Sequence, residues 1–286
     1  MAEGLLDPRT IRQLAAELDL RPTKQRGQNF VHDPNTVRRI VAAAGVRPDD
    51  VVLEIGPGLG SLTLGLLEAA AGVVAIEIEH SLAERLPQTV AERLPACADR
   101  LRVLEADALR VDDLPDPQPT LVVANLPYNV SVPVLLHVLA HFPSVRAGLV
   151  MVQAEVADRL VAPPGSRTYG IPSVKLAWYC SARRIGSVPP TVFWPMPNVD
   201  SGLVQLVRRE LPVTSATREE VFAMIDTAFA QRRKMLRSAL SGVFGSSAEA
   251  SAALTAAGLD PQARGEVLTV NDFARIAEAR TLGGVG

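Results

Sequence analysis

From Val51 the chain passes through an apolar run, Val51-Val52-Leu53-Glu54-Ile55, into Gly56-Pro57-Gly58-Leu59-Gly60, and then into a helix-forming segment from Ser61 to Ala71. A strand, a glycine turn and a helix in that order leave few folds open. The glycines let the backbone approach a ligand where a side chain would intrude, and the helix that follows presents its N-terminus to that ligand. The pattern predicts an α/β domain that takes a nucleotide-containing ligand at the carboxyl edge of a parallel sheet. A dinucleotide fingerprint would continue towards a further glycine, but here the Gly-x-Gly-x-Gly run gives way to Ser61. That departure disfavours a nicotinamide dinucleotide and favours S-adenosylmethionine.

The next apolar runs end in polar residues of matching chemistry. Val73-Val74-Ala75-Ile76 leads to Glu77, a strand-end carboxylate suited to accept both ribose hydroxyls of a nucleoside. The run from Leu101 to Asp107 ends on a second acid, placed to accept from the cofactor's adenine amino group. Leu121-Val122-Val123-Ala124 reads as a buried strand and runs into Asn125-Leu126-Pro127-Tyr128. The exocyclic nitrogen of adenine is a poor nucleophile because its lone pair is delocalised into the ring. An Asn125 side-chain oxygen and the Leu126 carbonyl can each accept one of its two N–H bonds and so localise that lone pair. Pro127 lacks a donor and fixes φ, and Tyr128 offers a face for stacking a base displaced from its helix. The same four residues also suit an ordinary strand followed by an Asn/Pro turn.

Elsewhere the periodicity predicts helices at 8–18, 34–44, 81–94, 131–141 and 154–161, a strand at 147–153, and an antiparallel hairpin of 187–193 with 201–208. Phe193, at the Pro-stiffened turn, is a candidate second face for the target base. Beyond Leu211-Pro212 only helical patterns remain, at 218–230, 232–243, 248–257 and 271–282. The expected division is therefore 1–210, an α/β catalytic domain, and 211–286, a small helical domain. Arg232, Arg233, Lys234 and Arg237 gather cations on one stretch of that domain and are candidate RNA contacts, although such a run is usually a solvated face.

The charge-free stretch between Asp116 and Arg146 is interrupted by Pro119, Asn125, Pro127, Asn129, Pro133, His137 and His141, so no membrane span is expected. The N-terminus carries no apolar signal core, and the two cysteines, Cys97 and Cys180, have no motif spacing; both observations predict a reducing, cytoplasmic setting. His137 and His141 are four apart, but no carboxylate or cysteine in the sequence pattern completes a metal site, and none is expected. A formal net charge of −2 does not by itself announce a nucleic-acid binder.

Five motifs in order, Gly27-Gln28-Asn29-Phe30, Glu54 to Gly60, Asn125 to Asn129, Pro195-Met196-Pro197-Asn198-Val199-Asp200-Ser201 and Gln231-Arg232-Arg233-Lys234, closely resemble those of the bacterial small-subunit ribosomal RNA adenine dimethyltransferases, from about Arg21 to the last helices. The resemblance implies a class I, Rossmann-like seven-stranded methyltransferase domain with a helical C-terminal domain. It also implies transfer of methyl groups from S-adenosylmethionine to N6 of two neighbouring adenosines near the 3′ end of 16S rRNA. By position it implies that Asn29 and Val31 close over the cofactor, that Gly56 and Gly58 lie beneath it, and that Glu77 and Asp107 hold its ribose and adenine. It sets Asn125 between cofactor and substrate, with Tyr128 stacked on the target. The implied partner is 16S rRNA within the small subunit or its precursor, with no DNA and no membrane, bound by a monomer.

Three other readings stand beside this one: a 23S rRNA adenine methyltransferase of the antibiotic-resistance type, a protein acting mainly as a small-subunit assembly factor, and an NAD-dependent oxidoreductase, which the glycine spacing and the Asn-Leu-Pro-Tyr turn disfavour.

Overall fold

The computed structural model describes residues 4–20 and 29–283, with side chains described as far as Arg280. Gly27 and Gln28 of the first motif, and the basic group Arg21, Lys24 and Arg26, lie outside the described residues. Within them the chain divides into two units, Met1–Ala157 with Arg183–Arg208, and Asp158–Ala182 with Arg209–Gly286.

The first unit opens with α1 (Pro8–Glu17) and α2 (Pro34–Ala44). Each starts on a proline behind an aspartate whose side chain accepts the amide of the third helical residue, Thr10 for Asp7 and Thr36 for Asp33. Between them lies a two-residue strand, β1 (Phe30–Val31). The main sheet is made of β2 (Val51–Ile55), β3 (Gly72–Glu77), β4 (Leu101–Glu105), β5 (Leu121–Asn125), β6 (Ala147–Gln153), β7 (Cys180–Val188) and, after a short β8 (Phe193–Trp194) that lies outside it, β9 (Ser201–Arg208). The order across the sheet is β4-β3-β2-β5-β6-β9-β7. Pairs from β4 to β6 are parallel and β6–β9 is antiparallel. This mixed seven-stranded sheet with flanking helices is the class I, Rossmann-like arrangement expected of the sequence.

Strands β2 and β3 are buried along their whole length, and β5 up to Asn125, which is why they read as unbroken apolar runs. Helices α3 (Ser61–Ala69), α4 (His80–Arg93) and α5 (Ser131–His141) form the crossovers, and α6 (Ala154–Leu160) follows β6 directly. The chain winds outward from β2 through β3 to β4, then restarts on the other side of β2 with β5 and β6. The order therefore reverses between β2 and β5, where an open α/β sheet leaves a crevice beyond its carboxyl ends. At the opposite edge Asp50, 1% exposed, ties three strands together: it accepts from the Arg47 amide at 2.9 Å, from Thr120 Oγ1 at 2.7 Å, and from the Arg146 guanidinium.

The expected hairpin of 187–193 with 201–208 is corrected. The segment 201–208 is β9, but its sheet partners are β6 and β7, and β7 ends at Val188 because Pro189 and Pro190 offer no N–H to a ladder. Phe193 and Trp194 pair instead with β1, in the register Phe30↔Trp194 and Val31↔Phe193.

The second unit contains a helix absent from the sequence reading, α7 (Ile171–Tyr179), together with α8 (Arg218–Ala230), α9 (Leu236–Ala239), α10 (Ser241–Phe244), α11 (Ser247–Ala256) and α12 (Val270–Gly283). Residues 158–182 cluster here rather than with 1–157, because α7 turns its aromatic face to α8. Trp178 and Tyr179 meet Phe222 edge-on, and Lys175 lies 5.1 Å over the Phe222 ring while pairing with Asp226. The Tyr169 hydroxyl also donates to the Leu268 carbonyl at 2.6 Å. The division at 210 thus omits a segment whose apolar partners come later in the chain. A single helix over 232–243 is likewise corrected. Residues 231–234 form a turn, and the amides of Leu236 and Arg237 donate to the carbonyls of Ala263 and Pro261 instead of a preceding helical turn. Among the described residues no helix is long and apolar enough to cross a membrane. Cys97 and Cys180 are both buried, and neither is part of a disulfide.

Candidate active site

The crevice at the β2/β5 reversal is a cleft whose walls come from the carboxyl ends of four parallel strands and from β1. Gly56, Pro57 and Gly58 follow β2, Glu77 and Ile78 end β3, Ala106 to Ala108 follow β4, and Asn125 and Pro127 end β5, while Asn29, Phe30 and Val31 close one side. The expected cofactor residues Asn29, Val31, Gly56, Gly58, Glu77, Asp107 and Asn125 therefore all converge on one cavity.

The glycine turn is shaped by backbone that other residues rarely adopt. Gly58 has φ +58°, and a Cβ built there would lie 2.7 Å from the Phe30 ring. Its amide donates to Glu77 Oε2 at 3.1 Å, and the Glu79 amide donates to Oε1 at 3.0 Å, so the strand-end carboxylate is held by main chain on both oxygens. Burial outweighs these bonds and pushes the Glu77 carboxyl up from its ordinary range. Asp107 accepts the Leu109 amide at 2.9 Å and stays partly open to the cleft.

The Asn125 turn has a defined orientation. Asn125 Nδ2 donates to the main-chain carbonyl of Asn29 at 3.0 Å, which leaves the amide oxygen as the acceptor. Leu126 is buried beneath, its N–H on the Met151 carbonyl at 3.0 Å. Pro127 stands in the wall, and its carbonyl accepts the Val130 amide at 3.3 Å. Tyr128, next to Pro127 in the chain, is not among the residues lining the cleft; it is half-buried, with its hydroxyl 2.9 Å from the Oγ of the fully buried Ser201. Burial raises the Tyr128 phenol, which is neutral near neutral pH.

Phe193 does not line the cleft. It is 2% exposed and packs in the core, because antiparallel pairing with Val31 turns its side chain inward. Its neighbour Trp194 stacks on Phe30, ring centroids 6.3 Å apart, and Phe30 is in the cleft wall. The basic group is also divided. Arg232 donates to Glu266 Oε2 at 2.9 Å and to the Arg167 carbonyl at 3.0 Å, whereas Arg233 and Lys234 are exposed in the turn and Arg237 is half-buried.

The fold adds residues that pattern reading missed. Glu54, 1% exposed, lies in the wall and accepts from Thr63 Oγ1 at 2.7 Å, and burial pushes its carboxyl up to about 8. Ser61 and Ile78 also line the cleft, Ile78 with 69% of its surface open. An apolar residue directly after the strand-end acid was the available signal for Ile78; a lone serine at a helix start carried none. The fold also supplies the carboxylate that the His137/His141 pair lacked, with Asp112 Oδ1 3.6 Å from His141 Nε2. His137 Nε2 and His141 Nδ1 donate to the carbonyls of Val111 and His137, so these imidazoles act as braces holding the 111–112 segment to α5.

Comparison with known proteins places this geometry in a family. The family profile described as "Ribosomal RNA adenine dimethylase" matches residues 20–281. "Ribosomal RNA small subunit methyltransferase A" of Streptomyces avermitilis is 65% identical over 279 residues, covering 97% of this chain and 95% of that protein. The protein of that name from Thermobifida fusca is 65% identical over 276 residues, covering 96% of each. Among solved structures, a dimethyladenosine transferase from Plasmodium falciparum superposes with a TM-score of 0.76 at 24% identity, covering 89% of this chain and 98% of that one, a likeness of fold. The 23S rRNA methyltransferase ErmE gives 0.63 at 26% identity, covering 88% and 100%.

Proposed function

The chain belongs to the ribosomal RNA adenine dimethylase family, and from that membership we propose that its cleft binds S-adenosylmethionine and that the Asn125 turn presents N6 of two adjacent adenosines of 16S rRNA for methylation to N6,N6-dimethyladenosine. The observation that carries the reading is the oriented amide of Asn125 at the cleft mouth. With Nδ2 committed to Asn29, Oδ1 is left as the acceptor for one N6–H, and the reading assigns the other to the Leu126 carbonyl.

The cleft fits the cofactor. Gly58 gives a cradle that any Cβ would fill, Glu77 offers carboxylate oxygens to the ribose, Asp107 one to the adenine amino group, and Ile78 an apolar face to the ring. Bound S-adenosylmethionine supplies a methyl group on a sulfonium. The protein's own residues orient the acceptor. Two acceptors at N6 draw it towards a tetrahedral shape with its lone pair directed at the electrophile, and Tyr128, its hydroxyl tethered to Ser201, offers the flat face that keeps the base in place. No strong base is required, since an N6-alkylated adeninium loses its proton readily to water. After the first transfer N6 keeps one hydrogen, so the second requires the methyladenine to rotate or rebind.

The exposed Arg233 and Lys234 supply charge for rRNA phosphates, whereas Arg232 serves the helical unit through Glu266. The near relatives named for the small subunit favour 16S over 23S rRNA as substrate. The decisive experiment is transfer of labelled methyl from S-adenosylmethionine to unmethylated small subunits, with 23S rRNA and naked 16S rRNA in parallel and the label mapped to nucleotides. Two adjacent dimethyladenosines in the small subunit are expected. Label confined to 23S rRNA would move the chain to the resistance type, and small-subunit binding without transfer would favour an assembly role.

A further inference from the structure

Two of the four histidines of the chain, His137 and His141, stand one turn apart on α5. Residues four apart share a helix face, the spacing by which a helix offers two imidazoles to a single metal ion. Their rings are stacked, with centroids 3.9 Å apart. Each ring has one nitrogen on a main-chain carbonyl, His137 Nε2 on Val111 at 2.9 Å and His141 Nδ1 on His137 at 3.0 Å. A donating N–H fixes the tautomer and leaves the other nitrogen of the ring with its lone pair, which is how main chain orients metal-bound histidines. The third group comes from outside the helix. Asp112 lies in the connection 106–120, which has neither helix nor strand, and is anchored by the buried Val111 and Leu114 on either side. One donor atom from each of Asp112, His137 and His141 lies within 4.8 Å of the other two. Asp112 Oδ1 and His141 Nε2 are 3.6 Å apart, too far for a hydrogen bond and close to the ~3.3 Å between two ligands of a tetrahedral cation with bonds of ~2.0 Å. Both side chains are exposed, so small torsions bring the set together.

We propose that Asp112, His137 and His141 hold a divalent transition cation of the zinc type, with water completing its shell. Two imidazoles and one carboxylate suit zinc and its neighbours, whereas magnesium and calcium take oxygen ligands and do not fit. Bound there, the cation clips a long connection to α5, and a clip that closes a long loop stabilises the folded chain. The connection begins with Ala106, Asp107 and Ala108 of the cleft wall, and α5 gives Val134 to the same cleft. The ion therefore fastens two cleft-forming segments to each other through residues that do not themselves line the cleft.

Calorimetric titration of the full-length, metal-stripped protein with zinc chloride tests this, with magnesium chloride as control and Co2+ as a spectroscopic probe. Wild type should bind Zn2+ in a single stoichiometric step and Mg2+ not at all. Co2+ should give the visible bands of nitrogen and oxygen ligands without a thiolate charge-transfer band. Asp112→Ala and His141→Ala, both at exposed positions, should each weaken Zn2+ binding by about tenfold or more. Each should also remove the rise in melting temperature that Zn2+ gives wild type. His80→Gln, at the other histidine beside carboxylates, Glu84 and Glu105, should bind as wild type does. No Zn2+ binding by wild type, or binding that survives both substitutions, overturns the site. A thiolate band would assign the metal to Cys97 or Cys180, and loss only in His80→Gln would move it to His80; either result overturns it as well.

Discussion

Asn125 Nδ2 donates to the main-chain carbonyl of Asn29 at 3.0 Å, across 96 residues of sequence. That bond joins the β5 turn to the segment closing the cleft and decides which end of the amide faces a substrate. Asn125→Ala is expected to lower methyl transfer about a hundredfold or more, the scale for loss of one preorganised polar contact at a reacting atom, while S-adenosylhomocysteine affinity stays within a few-fold. Single-turnover transfer and calorimetry separate the two; comparable loss of both would sink the separate role of this side chain.

Tyr128 and Ser201 lie 2.9 Å apart through their hydroxyls. Tyr128→Ala should reduce turnover by less than Asn125→Ala, by about the 1–3 kcal/mol of one base stack. Tyr128→Phe keeps the ring and should cost only a few-fold. Wild-type activity in Tyr128→Ala would refute stacking.

Gly58 combines φ +58° with a Cβ position 2.7 Å from Phe30. Gly58→Ala is expected to cost roughly 1–2 kcal/mol from the left-handed backbone alone and to displace Phe30 in the cleft wall. Both a lower melting temperature and weaker S-adenosylhomocysteine binding should follow, and retention of both at wild-type levels would contradict the tight turn.

Asp50 joins the amino ends of β2, β5 and β6. Burial raises its carboxyl, but bonds from Thr120, the Arg47 amide and Arg146 outweigh that and hold it below the ordinary value. A depressed folded-state value means that the stabilisation is present above the unfolded carboxylate range and is lost as pH falls through the folded value. Asp50→Asn should therefore destabilise by about 2 kcal/mol at pH 7, with the gap to wild type closing in acid. Urea unfolding across pH checks the sign.

Arg233 and Lys234 are exposed, whereas Arg232 pairs with Glu266. Arg233→Ala with Lys234→Ala should weaken binding to small subunits and flatten its dependence on log salt by about 1.4, for two phosphates at ~0.7 each, without moving the melting temperature. Arg232→Ala should lower the melting temperature. The opposite pattern would exchange the structural and RNA-facing roles.

The legible parts of this protein were those whose cause is local in the chain. Strands β2, β3 and β5 are buried on both faces and so read as apolar runs; Glu77, Asp107 and Asn125 stand where those runs stop; and the glycines of 56–60 mark backbone that side chains would obstruct. Those features sufficed for the sheet, the cleft and the chemistry at its edge. Helix α7 is not legible because its partners, Phe222 and the later helices, lie far along the chain, and 232–243 reads as one helix because the carbonyls of Ala263 and Pro261 that divert its amides lie outside that segment.

By itself, then, the sequence determined which residues bring acceptors and donors to the cleft, since a strand's period and its terminating residue are properties of neighbours. Only the tertiary structure decided which of them are free to act. It turned Phe193 into the core, gave Arg232 to Glu266, committed Asn125 Nδ2 to Asn29 and left Ser61 Oγ unpaired. A hydrogen-bonding group is available to a ligand only when no other part of the chain has satisfied it, and that is settled by contacts between segments distant in sequence.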